Sequence, residues 1–287
     1  MSEKQKLLLV GCGDIPNRLI SKLKIEQWKL QGLRRSPIEM AGVDMTFGDA
    51  ADPEIVDSIL QKKPDQLLIC LTPDARNAEA YEQSYLKPVQ AICASAQKWA
   101  PQCHLIFVSS TSVYAQDSGE LIDEQSAAEP MRDTAKVLVQ AEHEITQSNN
   151  PWSIVRFSGI YGPDRERLLA KVSNAQFAEP ENASWTNRIH SEDCAGVLAH
   201  LLENTNTSTD GAGLLVATDN ESALNTEVEK WLAGEMGIEY PDFDTEDVLV
   251  RGKRCSNRSL LESGYKFLYP SYREGYRELI RSGNPAI

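Results

Sequence analysis

Near its amino terminus the chain reads Lys6-Leu7-Leu8-Leu9-Val10-Gly11-Cys12-Gly13-Asp14-Ile15-Pro16-Asn17-Arg18-Leu19. The apolar run is short and continuous, which is typical of a strand buried on both faces of a parallel sheet. After the two glycines, Leu19, Ile20 and Leu23 recur at helical spacing. The stretch therefore predicts a strand, a tight turn and a helix, which together are the first half of a βαβ unit.

The glycine turn has the spacing of a dinucleotide site. Gly11 allows the chain to turn, and Gly13 allows a pyrophosphate to approach the backbone without a Cβ in the way. The helix that begins at Asp14 and Ile15 offers unpaired N–H groups to the phosphates. Pro16 stands where the third glycine of G-x-G-x-x-G is expected, and proline is tolerated in a first helical turn. A strand-to-helix turn without a ligand stays open as the alternative.

The composition of the chain indicates which classes of binding partner and which cellular compartment to expect. The chain has 287 residues, 41% of them hydrophobic, which is enough for a large α/β domain with a smaller companion. The net charge of -13 argues against nucleic acid or an anionic membrane as the main partner. The histidines lack metal-ligand spacing, so no metal site is expected. Scattered cysteines and the absence of an apolar leader predict a cytoplasmic protein with free thiols.

Two arginines follow the second predicted strand, which covers Trp28 to Leu33. The end of this strand lies beside the adenosine ribose in such folds, where a carboxylate binds NAD and an arginine accepts the 2′-phosphate of NADP. Arg34 and Arg35 therefore favour NADP, with NAD as the alternative, although the pair could simply be solvated at a strand end. Asp49 ends the third predicted strand and is a candidate to accept from the adenine amino group. Leu71-Thr72, after the fourth strand, is predicted to pass beneath a ribose.

A row of hydroxyl groups follows the fifth predicted strand, His104 to Val108. It reads Ser109-Ser110-Thr111-Ser112-Val113-Tyr114 and is placed at the carboxyl end of a central strand, where α/β sheets bind their ligands. We take Ser110 as the best single catalytic candidate. Ser109 is expected to contact the cofactor, and Thr111 the substrate.

These pieces together resemble the extended or atypical branch of the short-chain dehydrogenases/reductases, the NAD-dependent epimerase/dehydratase family. The matching segments, in the order of the family, are Gly11-Cys12-Gly13, Gly48-Asp49, Val108 to Tyr114, Arg156 to Pro163 and Arg188 to Asp193. The resemblance implies a Rossmann-type doubly wound parallel sheet with a small C-terminal substrate-capping domain. It places the catalytic Ser/Thr on Ser110, the adenine-contacting aspartate on Asp49, and the loop beside the nicotinamide at 159–163, which includes Tyr161.

The chain departs from the family at the Tyr-x-x-x-Lys pair, in which lysine lowers the pKa of the catalytic phenol. Four residues before Lys136 stands Arg132, and an alignment on Glu142 places Thr134 and Leu138 at the two positions. Neither register restores the pair. Lys136 is kept as a candidate for the cofactor ribose, with a solvated helix lysine as the alternative. Tyr114 and Tyr161 are the remaining candidate proton donors.

The expected organisation is a dinucleotide-binding domain over residues 1–158, to which the chain returns at about 186–218, and substrate-side cap segments within 159–287. Lys253 and Arg254 form a basic patch in the cap, and with Arg188 they are candidate contacts for an anionic substrate. The resemblance implies an NAD(P)-dependent oxidoreductase or epimerase/dehydratase acting on a small carbonyl or hydroxyl compound, with sugar-like molecules among the candidates. A non-catalytic NAD(P)-binding sensor is the alternative, and a homodimer is the assembly considered.

Overall fold

A computed structural model of the protein describes residues 3–204, 213–243 and 250–283. The strands are β1 Gln5–Val10, β2 Trp28–Arg34, β3 Val43–Phe47, β4 Gln66–Ile69, β5 His104–Ser110, β6 Ser118–Ile122, β7 Trp152–Phe157, β8 Gly159–Tyr161, β9 Ser184–Thr186, β10 Arg188–His190, β11 Gly213–Ala217, β12 Ala223–Leu224 and β13 Arg251–Cys255. The α-helices are α1 Asp14–Lys22, α2 Pro53–Leu60, α3 Ala78–Tyr81, α4 Lys87–Trp99, α5 Asp133–Gln147, α6 Arg167–Ser173, α7 Ser191–Asn204, α8 Asn225–Met236, α9 Arg258–Glu262 and α10 Tyr272–Arg281.

The main sheet has, within the described residues, seven strands in the order β11-β7-β5-β4-β1-β2-β3. The pairs β1–β2, β2–β3, β1–β4 and β4–β5 are parallel. The chain builds the sheet outward from β1 to β3, then continues on the other side of β1 with β4. This reversal is the switch point at which doubly wound sheets bind ligands. The predicted Rossmann-type sheet is confirmed.

The apolar runs of the sequence form the interior of this sheet. Leu7, Leu9, Leu67 and Leu68 on the adjacent strands β1 and β4 have no exposed surface. Both faces of these strands are covered, which is why their sequences lack the alternation of polar and apolar residues seen in half-exposed strands. Burial of each such leucine contributes about 1.5–3 kcal/mol to folding.

The helical pattern between Asn77 and Trp99 predicts one continuous helix, but the structure interrupts it with a π-helical turn at Glu82–Leu86 between α3 and α4. Pro88 gives the physical reason, because it has no N–H to donate to the carbonyl four residues earlier, which belongs to Ser84. A π-helical turn inserts one residue into the helix and turns the preceding side chains to new directions. Ser84 lies within this turn and is buried.

The chain divides into two compact units. The first comprises Met1–Val113, Ala128–Arg156 and Ala195–Leu215, and the second comprises Tyr114–Ala127, Phe157–Cys194 and Val216–Ile287. The domain limits expected from the sequence stay a prediction, and part of the expected return segment, 205–212, lies outside the described residues. Over the ranges that the structure describes, no helix is long and apolar enough to cross a membrane.

In its described residues the second unit contains two small sheets and a helical core. Its sheets have the strand orders β12-β9-β13-β6 and β10-β8. Helices α6, α8 and α10 contribute apolar side chains to a common cluster, which includes Leu169, Val172, Val228, Leu232, Tyr272, Tyr276 and Leu279. These residues recur at helical spacing, so each helix buries one face against the others.

Candidate functional site

The turn after β1 is built around Gly11. Its φ of 86° lies in the left-handed region, and a Cβ at this position would overlap the carbonyl of Cys70 at the end of β4. The Gly11 N–H donates to the Leu33 carbonyl of β2 at 3.0 Å. The turn is therefore held against both neighbouring strands, and only glycine fits there without strain.

Gly13 differs from Gly11, because its backbone is extended and a Cβ added there would meet no atom within 4 Å. The position precedes the nine-residue helix α1, whose first N–H groups have no intrahelical partner. Pro16 is buried in the first turn and contributes no N–H. The open space at Gly13 and the N–H groups of Asp14 and Ile15 form a cradle that fits a pyrophosphate. The carboxylate of Asp14 is paired with Arg18 at 2.7 Å.

A cavity of about 340 Å³ lies over this turn, at the carboxyl ends of β1, β2 and β4. Seven of the residues predicted from the sequence to hold a cofactor line it together: Gly11, Gly13, Arg34, Arg35, Asp49, Leu71 and Thr72. Asp14, Ile15 and Ser109 are not among its lining residues. The cavity is lined by glycine backbone, strand-end residues and two arginines, which suits a dinucleotide.

The two arginines differ in their surroundings. Arg35 donates two hydrogen bonds to the carboxylate of Asp74, each of 2.7 Å. The Arg35 guanidinium lowers the pKa of the Asp74 carboxyl. No carboxylate in the described part of the chain lies within ion-pair distance of Arg34. Asp49, which also lines the cavity, accepts the N–H of Ala51 at 2.9 Å at the turn leading into α2.

Sequence analysis missed four polar residues of the cavity, Ser36, Asp74, Gln83 and Ser84, of which Asp74 and Ser84 bear on the binding of a ligand. The side chain of Ser84 is buried, and among the described residues its hydroxyl has no hydrogen-bond partner. A buried hydroxyl without a partner loses hydration without compensation, so it is well suited to bond a ligand in the cavity. Helical spacing could not reveal this residue, because the π-helical turn changes the direction of its side chain. For Asp74 the sequence did offer a signal, because an acidic residue directly follows Thr72-Pro73 at the predicted cofactor site.

The serine row, Ser109 to Ser112, begins at the end of β5 and is anchored to α5 by a hydrogen bond. The Ser109 hydroxyl donates to Glu142 at 2.6 Å and is buried between β5 and α5. Successive strand residues face opposite sides of a sheet, so Ser110 lies on the other side from Ser109. The Ser110 oxygen accepts the N–H of Ser112 at 3.1 Å, which leaves its own O–H to donate. Thr111 is buried in a short 3-10 turn.

Helix α5 carries the residues that replace the Tyr-x-x-x-Lys pair. Lys136 is exposed and forms an ion pair with Asp133 at 2.8 Å. Leu138 is buried, and Thr134 is half-buried. In one register Arg132, just before α5, and Lys136 stand at the two positions, and in the other Thr134 and Leu138, so the tyrosine is absent in both.

Both candidate tyrosine donors lie in the second unit and are buried. Tyr114 donates its hydroxyl to the Asp123 carbonyl at 2.8 Å. Tyr161 stacks on Tyr276 at 4.5 Å between ring centroids. Burial raises the pKa of the Tyr161 phenol, and the nearby carboxyl of Asp219 raises it further.

The basic candidates of the second unit are engaged with the backbone or buried. Lys253 donates to the Tyr114 carbonyl at 2.7 Å, and Arg254 donates to the Gly119 carbonyl at 3.0 Å. These bonds join β13 to the segment containing β6. Arg188 is buried, and Nη1 of its guanidinium has no hydrogen-bond partner among the described residues.

A family profile described as NAD(P)H-binding matches residues 11–205 of the chain. A search of curated protein sequences found no match. Among solved structures, the chain is similar to a protein from Methylobacillus flagellatus with the provisional name NAD-dependent epimerase/dehydratase. The identity is 33%, the match covers 98% of this chain and 99% of the other, and the TM-score is 0.83.

Two more distant structures share the fold. One is a UDP-glucuronic acid 4-epimerase from Bacillus cereus in complex with UDP-glucuronic acid and NAD, with 16% identity, coverage of 97% and 99%, and a TM-score of 0.76. The other is the human epimerase family protein SDR39U1 with NADPH, with 18% identity, coverage of 96% and 99%, and a TM-score of 0.73.

Proposed function

The chain belongs to the NAD(P)H-binding family and to the NAD-dependent epimerase/dehydratase group of short-chain dehydrogenases/reductases, and on that premise we propose that it is an NADP(H)-dependent oxidoreductase or epimerase. The proposed substrate is a small carbonyl or hydroxyl compound of sugar-like type. The observation that carries the proposal is the cavity over the Gly11–Gly13 turn, which two arginines line on the side of β2.

Each part of this cavity has a proposed role. The turn and the first N–H groups of α1 hold the pyrophosphate, and Asp49 accepts from the adenine. Arg34 and Arg35 bind the 2′-phosphate, with the N–H donors of a guanidinium matched to phosphate oxygens. Leu71 and Thr72 support a ribose. A bound nicotinamide would supply or accept the hydride at the substrate carbon.

Ser110 is proposed to donate its free O–H to the substrate oxygen that gains or loses the hydrogen. Tyr114 and Lys136 stay predictions as proton-moving groups, and each would have to exchange its present partner, the Asp123 carbonyl or Asp133. Tyr161 at the cofactor and Thr111, Arg188, Lys253 and Arg254 at the substrate are likewise predictions, as are the capping role of the C-terminal segments and a homodimer.

Titration calorimetry with NADPH and NADH tests the cofactor assignment. We expect the protein to bind NADPH more tightly than NADH, and Arg34→Ala to weaken NADPH binding far more than NADH binding. Arg258→Ala is the matched control, because Arg258 is exposed and does not line the cavity. An equal loss for both coenzymes would remove the 2′-phosphate assignment. Absence of heat with every nicotinamide coenzyme would remove the proposed function.

A panel of carbonyl compounds, with NADPH oxidation followed by absorbance, tests for catalysis. We expect turnover of at least one member, with a large loss of activity in Ser110→Ala and a smaller loss in Ser112→Ala. The sensor alternative is favoured by one observation, the absence of a Tyr-x-x-x-Lys pair from α5 in either register. Tight NADPH binding with no turnover in a broad panel would decide for the sensor.

A further inference from the structure

The Arg35–Asp74 ion pair joins the two strand ends that flank the glycine turn. In the main sheet β1 lies between β2 and β4, and Val10 is level with Leu33 on one side and Ile69 on the other. Arg35 stands two residues beyond Leu33, and Asp74 stands five beyond Ile69. The pair therefore extends over the end of β1, and both of its members line the cavity above the turn.

The pair uses two of the five N–H donors of the Arg35 guanidinium, one on each terminal nitrogen. Both terminal nitrogens of Arg35 donate to Asp74, one to each carboxylate oxygen, at 2.7 Å. This two-pronged arrangement is the one that guanidinium groups also form with phosphate. A 2′-phosphate cannot form the same bonds to Arg35 while Asp74 holds them.

The charges around the cavity support the same conclusion. Arg34 and Arg35 are balanced there by Asp49 and Asp74, so the four side chains sum to zero. A 2′-phosphate would bring further negative charge into a set that is already neutral. Loss of Asp74 leaves one net positive charge and frees the Arg35 guanidinium, and both changes favour a phosphorylated ribose over an unphosphorylated one.

We propose that Asp74 determines the coenzyme specificity of this site, because its carboxylate competes with the 2′-phosphate of NADP(H) for Arg35. The proposal rests on the proposed function, in which this cavity binds the coenzyme. Arg34 makes the first contact with the 2′-phosphate, and Arg35 adds its bonds only after Asp74 releases it. NAD(H) has no group that competes for Arg35, so it binds with the ion pair intact.

The competition makes a double-mutant cycle informative. In the native protein, Arg35→Ala removes the phosphate contact and the competing pair together, so it weakens NADPH binding less than Arg34→Ala does. In an Asp74→Asn background Arg35 is already free, and Arg35→Ala then costs more affinity than in the native protein. A merely structural role for the ion pair gives no such dependence on the 2′-phosphate.

The experiment is calorimetric titration of the full chain with 2′,5′-ADP and 5′-ADP, and with NADPH and NADH. Asp74→Asn is expected to tighten 2′,5′-ADP and NADPH by about three- to fivefold, the upper part of the range for release of an exposed ion pair. Binding of 5′-ADP and NADH should change by less than about twofold. Glu262→Gln is the matched control, since this exposed glutamate also pairs with an arginine, Arg258, but does not line the cavity.

Each outcome has one meaning. If Asp74→Asn changes the affinities for 2′,5′-ADP and 5′-ADP equally, so that their ratio is unchanged, the proposed function stands and the role of Asp74 is overturned. Weaker binding of 2′,5′-ADP in Asp74→Asn also overturns it, because Asp74 would then support the phosphate site. If no nucleotide binds to the native protein or to any variant, the proposed function fails together with the inference.

Discussion

The carboxylate of Glu142 accepts hydrogen bonds from Nε of Arg156 at 2.9 Å and from its Nη2 at 2.5 Å, in the buried layer between α5 and β7. Their side chains are 6% and 7% exposed, and the Ser109 hydroxyl donates to the same carboxylate. Helix α5 is therefore joined to β7 by a buried ion pair and to β5 by the hydrogen bond from Ser109. A buried pair of this kind is costly to break, because the remaining charge stays buried without a partner.

Replacement of Glu142 by alanine is expected to lower the free energy of unfolding by about 3–5 kcal/mol, since Arg156 and Ser109 lose their acceptor. Denaturant unfolding followed by circular dichroism measures the change. Asp133→Ala is the control in the same helix, because its pair with Lys136 is exposed and contributes little to stability. Equal losses in the two variants would contradict this assignment.

The two glycines of the turn are expected to respond differently to alanine. Gly11→Ala forces a left-handed φ and a collision with the Cys70 carbonyl, so it should destabilise the protein by about 2 kcal/mol or more. Gly13→Ala meets open space and should cost less than about 1 kcal/mol, yet its methyl group would occupy the proposed pyrophosphate position. Thermal unfolding and NADPH titration measure the two effects. Full NADPH affinity in Gly13→Ala would contradict the pyrophosphate assignment.

The main elements of the sheet could be predicted because their signals are local. Continuous apolar runs such as Leu7 to Val10 mark buried parallel strands, and Asp52-Pro53 marks the start of α2. The structure has the Asp52 side chain accepting the Glu54 N–H at 2.9 Å. The sequence could not show which side chains contact each other in the folded protein. Arg35 and Asp74, for example, are 39 positions apart. Their pairing depends on the order of the strands in the sheet.

Irregular backbone was the other source of error in the sequence analysis. The pattern from Asn77 to Trp99 has helical spacing on both sides of the π-helical turn, so nothing in it separates α3 from α4. This irregularity matters for the candidate site, because Ser84 lies in the π-helical turn and lines the cavity.

The contacts of the basic residue Lys253 could not be predicted either. Its positive charge was visible, but its bond to the carbonyl of Tyr114, 139 positions away, was not.

Ser84 and Ser95 form a matched pair for testing the cavity, because both are buried serines of neighbouring helical segments. Ser84→Ala removes a hydroxyl with no partner among the described residues, so the protein without coenzyme should keep or gain stability, by about 1 kcal/mol at most. Its NADPH affinity should fall. Ser95→Ala instead breaks a bond of 2.6 Å to Asp57 and should lower stability without changing NADPH affinity. Identical NADPH affinities in both variants would contradict the proposed contact.

A buried carboxyl of the second unit, that of Asp219, should make stability depend on pH. Burial, with the nearby carboxyls of Glu221 and Asp193, raises its pKa to about 8, against the lowering effects of the hydrogen bond from the Glu221 N–H and of the Arg188 guanidinium. One oxygen accepts the Glu221 N–H at 3.0 Å, and the other has no partner among the described residues. The folded protein therefore holds a proton on Asp219 at pH values where the unfolded chain has lost it.

Because the folded state binds more protons than the unfolded state between pH 3.8, the ordinary pKa of an aspartate carboxyl, and about 8, the native protein should lose stability as the pH rises through this window. Asp219→Asn keeps an acceptor for the Glu221 N–H and removes the titration. The stability of the native protein relative to this variant should fall by up to about 1.4 kcal/mol for each pH unit between pH 5 and 7, the range well inside that window. Urea unfolding at a series of pH values measures the difference, with the exposed Glu239→Gln as control for the change in net charge. A difference that stays constant with pH would show that Asp219 is ionised in the folded protein, with Arg188 compensating for its burial.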